Sequence, residues 1–442
     1  MDKLVSLAKR RGFIFQSSEI YGGINGFWDY GPVGVELKNN IKSFWWDRMV
    51  RQRDDVVGVD TTIIAHPQTW VSSGHVKSFS DPLVDCKVCK GRFRADHIDE
   101  IPCPEKPSMT VQKCAVEKQG KGELTDVRQF NLMFETFVGA LQDEHSKAYL
   151  RPETCQSIFT QFKNIQTTSR QKIPFGIAQI GKSFRNEVTP RNFIFRSREF
   201  EQMEIEYFIH PDEKEGKKWY EYWIEQRFQW FLDIGVKKEK LRLRPHDQDE
   251  LAHYAQGCTD VEYEFPFGVS ELEGIANRSN YDLTQHIEGS GKDLSVFDDA
   301  TKEKYVPAVI ETSLGVDRTL LTVFADAFDE DEIDGEKRTV LRLAPHIAPI
   351  KVAVLPLSKK LAEPAQKLDR DLRKEYATDY DDTGSIGKRY RRQDEIGTPF
   401  ALTFDFDSLE DHQVTIRHRD TTKQDRVALE KVSEYLETHL KS

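Results

Sequence analysis

Gly176-Ile177-Ala178-Gln179-Ile180-Gly181-Lys182-Ser183 runs directly into Phe184-Arg185-Asn186-Glu187, and a basic connector leads on to Arg196-Ser197-Arg198-Glu199-Phe200-Glu201-Gln202-Met203-Glu204. The first eight residues match the phosphate-loop pattern G-x-x-x-x-G-K-[ST] letter for letter. A phosphate loop, however, is a flexible glycine-rich turn between a buried strand and a helix whose N-terminus receives the phosphates. Here Ile177, Ala178, Gln179 and Ile180 read as strand, and Thr189-Pro190 follows where an amphipathic helix should begin. Alternation supplies the competing interpretation. Arg185 and Glu187 share one face of a strand; Phe200, Gln202 and Glu204 share one face of the next, while Met203, Ile205 and Tyr207 turn the other way. Two such strands make the floor of a polar cleft backed by a core. For these residues alone, the plainer alternative is an exposed hairpin with surface ion pairs.

Ile310-Glu311-Thr312-Ser313-Leu314-Gly315-Val316-Asp317-Arg318 is the next landmark. A strand puts Glu311 and Ser313 on one face, Gly315 allows a turn, and a helix begins with Val316, Leu320, Val323, Phe324 and Ala327 as its buried stripe. Arg318 in the first turn opposes the helix dipole, a conflict that a bound polyphosphate would relieve. An ordinary strand–turn–helix unit with an exposed arginine is the alternative.

Outward from these segments, 442 residues suffice for two or three domains. Periodicity predicts a helix over residues 34–51, a strand over 56–64, a long amphipathic helix over 211–235, and strands over 262–270 and 306–313. From 81 to about 128 the chain becomes polar, turn-rich and cysteine-bearing, like an inserted module. Strand-like 351–357, 400–404 and 414–416 alternate with helical stretches, which indicates an α/β unit. The division expected is therefore 1–338 and 339–442. No apolar run is long enough to cross a membrane. Met1-Asp2-Lys3-Leu4 lacks the apolar core of a signal peptide, so a cytoplasmic enzyme is expected. A net charge of -11 argues against nucleic-acid binding through bulk charge but leaves room for a local basic surface. Six cysteines in this length do not suggest a disulfide scaffold.

Further segments sharpen the picture: Asp29-Tyr30-Gly31-Pro32, Ser73-Gly74-His75, Phe130-Asn131-Leu132-Met133-Phe134, Arg151-Pro152-Glu153-Thr154, Glu271-Leu272-Glu273-Gly274-Ile275-Ala276-Asn277-Arg278, Ser385-Ile386-Gly387-Lys388-Arg389-Tyr390 and Asp394-Glu395-Ile396-Gly397-Thr398-Pro399. With the two segments above, they make the chain resemble the dimeric-type glycyl-tRNA synthetases, which are class II aminoacyl-tRNA synthetases, over nearly its whole length. The resemblance implies an α+β fold. Its catalytic domain would be a six- or seven-stranded antiparallel sheet flanked by helices and carrying an inserted module, and its C-terminal α/β domain would bind the anticodon. It also implies a homodimer, through a first motif around residues 38–67, and a reaction in which glycine and ATP form glycyl adenylate before the acyl group passes to tRNA.

The same resemblance assigns residues. Arg185, Glu187 and Arg318 would be catalytic: Arg185 on the α-phosphate and amino-acid carboxylate, Arg318 and Arg196 on the outer phosphates, and Glu187 at the adenine amino edge, with Phe200 stacked on adenine. Asn186, Phe195, Leu272, Gly315 and Asp317 complete the ATP site. Glu271 and Glu311 would hold Mg2+, since oxygen ligands suit a hard cation. Glu153, Glu204, Glu311 and Ser313 would receive the glycine ammonium; Gln202 lies with them, and Arg278 and Arg94 would serve the carboxylate or substrate side. A pocket closed beyond the α-carbon needs no editing domain, because one added methyl already clashes.

Cys86, Cys89, Cys103 and Cys114 in the module admit two interpretations, a structural Zn2+ site or free thiols, since a second Cys-x2-Cys is absent. Lys388, Arg389, Arg391 and Arg392 near Tyr390, with Arg417 and Arg419, are expected to touch the anticodon stem. The chain departs from its relatives at Thr312, Leu314, Cys155 and Ser157, all beside proposed substrate ligands. Two rivals remain: a catalytically inactive synthetase-like nucleic-acid-binding subunit, which should have lost the phosphate arginines, and a phosphate-loop NTPase relying on Lys182.

Overall fold

The computed structural model describes residues 1–252, 255–299, 301–333 and 335–440. Its organising element is a sheet of seven strands: β1 (Val56–Gly58), β2 (Phe175–Phe184), β3 (Glu199–Ile209), β4 (Leu241–Pro245), β5 (Gly257–Phe265), β6 (Gly268–Ser279) and β7 (Ala308–Gly315). They lie in the order β4-β5-β6-β7-β3-β2-β1, antiparallel throughout except for β1 alongside β2. The phosphate-loop match is thus the strand β2, and packing accounts for its glycines. A Cβ on Gly181 would stand 2.2 Å from the Arg151 guanidinium, and one on Gly176 would press on Tyr207 and Val56 at 3.0 and 3.1 Å. Lys182 pairs with Glu199 on the surface. Ser183 Oγ donates to Gln202 Oε1 at 2.6 Å.

One face of this sheet is apolar. Met203, Ile205 and Tyr207 of β3 join Leu37, Ile41 and Trp45 of helix α1 (Pro32–Trp46) in the main core, as the alternation predicted. That core also takes Trp223, Trp230 and Phe231 of α3 (Glu213–Asp233), and the stripe Val316, Leu320, Val323, Phe324 and Ala327 of α5 (Val316–Ala327). Helices α2 (Cys155–Ser169) and α4 (Tyr281–Ser290) cover a second cluster built on Phe159, Phe162, Phe175 and Phe208. The α1 helix continues in a wider turn over Asp47–Arg51, so the helical span expected for 34–51 is present.

Two expectations fail. The strand expected over 56–64 stops at Gly58 because the next residues turn their polar groups toward Arg151: its Nη1 is bound by the Thr61 carbonyl at 2.9 Å, and Thr61 Oγ1 donates to Gln179 at 2.8 Å. The strand expected over 262–270 is really the β5–β6 hairpin. Pro266 cannot donate to a ladder and Gly268 takes φ +115°, so the chain folds back there.

Beyond the hairpin Phe328–Ile333/Glu336–Leu341, a five-stranded mixed sheet runs Thr378–Tyr380, Val352–Pro356, Phe400–Phe404, Gln413–His418, Gln424–Ala428. Its first two pairings are parallel and its last two antiparallel, and it has its own core. Arg338 on the hairpin reaches into this unit: Nη1 donates to Asp394 at 3.3 Å and to the Arg419 carbonyl at 2.8 Å, while Nη2 binds Asp331 at 2.5 Å. Within the unit, Arg417 holds the same Asp394 carboxylate with bonds of 2.8 and 3.1 Å.

Inside the main core, Arg227 of α3 binds Glu273 of β6 at 2.6 Å with both side chains almost fully buried. Its guanidinium also lies over the Trp230 ring at 4.8 Å. A buried cation robbed of its partner is costly, so Glu273→Leu should destabilise the protein by about 3–5 kcal/mol, read as a lower midpoint in urea unfolding. A midpoint matching the parent would show that the pair carries no such weight.

Candidate active site

The sheet face away from the main core opens a cleft of ≈ 300 Å³. Arg185, Glu187, Phe195, Arg196 and Phe200 enter it from the β2–β3 hairpin and its loop, with Gln202 from β3. Glu271, Leu272 and Arg278 come from β6, and Glu311, Ser313 and Gly315 from β7. Asp317 and Arg318 of α5 and Glu153, just before α2, complete the set. Three residues singled out from the sequence do not line it. Asn186 joins the Leu132 carbonyl through its backbone N–H at 2.8 Å. Glu204 lies one layer deeper, accepting from the Thr154 hydroxyl. Arg94 sits in the inserted module, paired with Asp81 at 3.1 Å and Asp96 at 2.6 Å. Arg185 and Glu187 also follow β2 rather than lying on it, so alternation does not fix their common face.

The arginines are tethered by backbone and aromatic rings. Arg185 Nε donates to the Pro152 carbonyl at 3.0 Å, and its guanidinium lies over Phe79 and Phe200 at 5.3 and 5.5 Å. Arg318 stacks over Phe195 at 4.5 Å and stands 3.4 Å from the Glu271 carboxylate. Burial lowers the pKa of Arg196; Glu187 opposes that shift, while Arg191, Arg94 and Arg318 add to it. Positive charge crowded this way favours a polyanion.

Asp317 lines the cleft but uses both oxygens on the scaffold. Oδ1 accepts from the Tyr30 hydroxyl and from Lys38 Nζ at 3.2 Å, and Oδ2 accepts from the Glu201 backbone N–H at 2.8 Å. Both oxygens are thus engaged by the scaffold, immediately before Arg318 in the chain.

The deep end of the cleft is acidic. The ligand atoms of Cys155, Glu204, Glu206 and Glu311 all lie within 4.8 Å of one another. Burial, then Glu311 and Glu153, push Glu204 up to about 8. Burial, Glu311 and Glu204 likewise raise Glu206 well above the ordinary range, and neither of its buried carboxyl oxygens has a hydrogen-bond partner among the described residues. Burial also works against the Glu153 carboxylate, but His75 Nε2 at 3.2 Å and the Arg278 charge outweigh it and hold Glu153 low. Arg278 is itself clamped by Asp282 at 2.7 and 2.8 Å and by Glu311 at 2.7 Å. Sequence reasoning missed Glu206, Asp282 and any part for His75. Glu206 was within reach, because the alternation that marked Gln202 and Glu204 continues to it.

In the inserted module, Cys86, Cys89, Cys103 and Cys114 line one pocket. Burial disfavours the Cys86 thiolate, yet backbone groups of Cys89, Glu123 and Val88 outweigh it and lower its pKa. A Cβ on Gly120 would stand 2.5 Å from Cys114 Sγ. Thiolates are donors that suit zinc, and these four side chains share one hollow. In the C-terminal unit the basic cluster splits. Arg389, Arg417 and Arg419 are buried on internal partners, so they are not free to meet RNA; Lys388, Arg391 and Arg392 line a surface hollow with Arg11.

Comparison with known proteins gives the class first. Residues 134–327 match the tRNA synthetase class II core domain (G, H, P, S and T), and residues 351–439 match an anticodon binding domain. A crystal structure of the RNA binding domain of threonyl-tRNA synthetase from Cryptosporidium parvum Iowa II shares the fold, with a TM-score of 0.68 at 17% identity over 98% of this chain and 97% of that one. The particular family follows from full-length relatives. The glycine–tRNA ligase of Caldanaerobacter subterraneus is 55% identical over 100% of this chain and 98% of the relative. That of Treponema denticola is 53% identical over 100% and 97%, and that of Thermobifida fusca 52% identical over 100% and 98%. The chain belongs to the glycine–tRNA ligase family. Among the described residues, no helix is long and apolar enough to cross a membrane.

If Asp317 is the tether described, Asp317→Asn should weaken the bonds to Tyr30 and Lys38 and cost about 1–3 kcal/mol. Thermal unfolding reads this; an unchanged melting temperature would refute it.

Proposed function

We propose that this chain activates glycine with ATP, releasing pyrophosphate, and transfers the glycyl group from the adenylate to the 3' end of its tRNA. The single observation that carries the mechanism is one cleft lined by Arg185, Arg196 and Arg318 at one part and by Glu153, Arg278, Glu311 and Ser313 at another. Arg185 neutralises charge at the α-phosphate as the glycine carboxylate attacks. Arg196 and Arg318 hold the outer phosphates, Phe200 and Phe195 serve the base, and Glu187 its amino edge. Because phosphoryl-centre chemistry rests on positioning and charge neutralisation, no covalent nucleophile is needed. Mg2+ held by oxygens of Glu271 and Glu311 would neutralise phosphate charge; Glu271 is the half-exposed member of that pair.

Glu153 and Glu311 in the wall, with Glu204 and Glu206 behind them, offer the glycine ammonium an acidic pocket in which Glu153 is held ionised, and Ser313 lies against Gln202 at 3.2 Å. The retained arginines speak against the inactive-subunit alternative. The rest of the assembly follows the family: a homodimer through the segment 38–67, a cytoplasmic location with the tRNA, a zinc ion on the four module thiols, and a division at 338/339 with the module at about 81–128. That division is supported by the separate family matches and separate cores. Lys388, Arg391 and Arg392 are the cluster members left for the anticodon arm.

Amino-acid-dependent exchange of pyrophosphate into ATP, run over all the standard amino acids, should give signal with glycine alone. Arg185→Ala should lower it by about 10²–10³-fold, whereas Lys182→Ala, on the strand surface, should leave it intact. Signal with another amino acid, or loss with Lys182→Ala, would overturn the proposal.

Glu204 holds a proton below about pH 8, and an ammonium ion needs its carboxylate. Glycine binding should therefore expel a proton, and the KM for glycine should fall as pH rises from 6.5 to 8, by at most about tenfold per unit, then level off. Glu204→Gln should flatten this slope; a KM independent of pH in the parent enzyme would refute it.

A further inference from the structure

The end of β4 and the start of β5 bring together three side chains that the aminoacylation mechanism does not use. His246 follows β4, and its backbone N–H donates to the Cys258 carbonyl at 2.9 Å, which continues the ladder one residue past the strand. Cys258 and Asp260, two apart on β5, share one face. His246 Nε2 stands 2.8 Å from Asp260 Oδ2, Cys258 Sγ stands 4.0 Å from Asp260 Oδ1, and the three ligand atoms all lie within 4.8 Å of one another. We propose that His246, Cys258 and Asp260 form a binding site for one thiophilic divalent cation of the zinc class in the wall of the active-site cleft.

Imidazole, thiolate and carboxylate are the donors zinc takes, and three protein ligands leave a fourth position open. The surroundings provide that opening. Cys258 lines the cleft, and the residues across the ladder, Ala276 opposite Cys258 and Gly274 opposite Asp260, are too small to cover the site. Even a Cβ added at Gly274 would come only to 3.9 Å from Asp260 Oδ1. The electrostatics point the same way: burial, Asp260, Glu311 and Glu271 push the Cys258 thiol up to about 12, and burial with Glu271 raises Asp260. A field that penalises further anions favours a cation. Arg244 is the opposing charge, 3.7 Å from Asp260 Oδ2, but its closest partner is Glu250 at 2.5 Å.

Cobalt(II) titration of the full-length protein tests this, because thiolate-to-cobalt charge transfer absorbs in the near ultraviolet and zinc displaces the ion. The Cys86→Ser/Cys89→Ser protein, with the module thiols disabled, should still bind one equivalent with a thiolate band. Adding Cys258→Ser should abolish the band, and His246→Ala or Asp260→Asn should weaken binding at least tenfold. Circular dichroism melts identify any variant that fails to fold, and the three separate substitutions keep the test decisive. Binding unaffected by all three, or no cobalt bound once the module cysteines are replaced, would overturn the proposal. Neither outcome bears on pyrophosphate exchange, so the aminoacylation proposal stands or falls separately.

Discussion

Asp317 is the point on which the cleft depends. One carboxylate, in the first turn of α5, joins Tyr30 and Lys38 from the N-terminal segment to the backbone of Glu201 in β3. Lys38 is almost fully buried, and burial works against its charge, but Asp317 and Glu201 more than compensate and raise its pKa. A buried cation shared between two carboxylates fixes geometry, because releasing either partner exposes an uncompensated charge. Three stretches more than a hundred residues apart are thereby locked, and Arg318 is held one residue from the lock. An arginine at a helix N-terminus is electrostatically unfavourable in isolation; tethering it over Phe195 and beside Glu271 keeps it aimed into the cleft.

The deep acidic end follows a different principle. Three fully or mostly buried carboxyls cannot all ionise at once in such proximity, so some remain neutral until a cation arrives. Glu153 is the one kept ionised, by His75 and Arg278, while Glu204 and Glu206 are pushed the other way. Cys155 adds a thiol that donates to Glu153 at 2.9 Å. The pocket is thus poised between protonation states, and a small ammonium group is the kind of ligand that tips the balance.

Much of this was legible in the chain because strands half-buried on one face write their orientation in a period of two. Phe200 and Gln202 point into the cleft and Met203, Ile205 and Tyr207 into the core, as that period required. What was illegible came from partners distant in sequence. Nothing near Thr61 announces that Arg151 will take its carbonyl, so the strand expected to continue to residue 64 ends at Gly58. Likewise, a row of arginines gives no hint of which are buried: Arg417 and Arg338 converge on Asp394, and Arg389 caps the carbonyls of Pro356 and Gly384. The sequence motif around Glu271 was recognised by resemblance, whereas the turn at Pro266 and Gly268 that sets its strand apart was overlooked.

The junction through Asp394 has a mechanical consequence. Arg338 stands on the hairpin while Asp394 and its second partner Arg417 belong to the C-terminal unit, so that unit cannot swing without stripping the buried Arg338 of this carboxylate. The two ends of the molecule then behave as the jaws of a fixed caliper. A ligand that touched both would meet them at a set spacing.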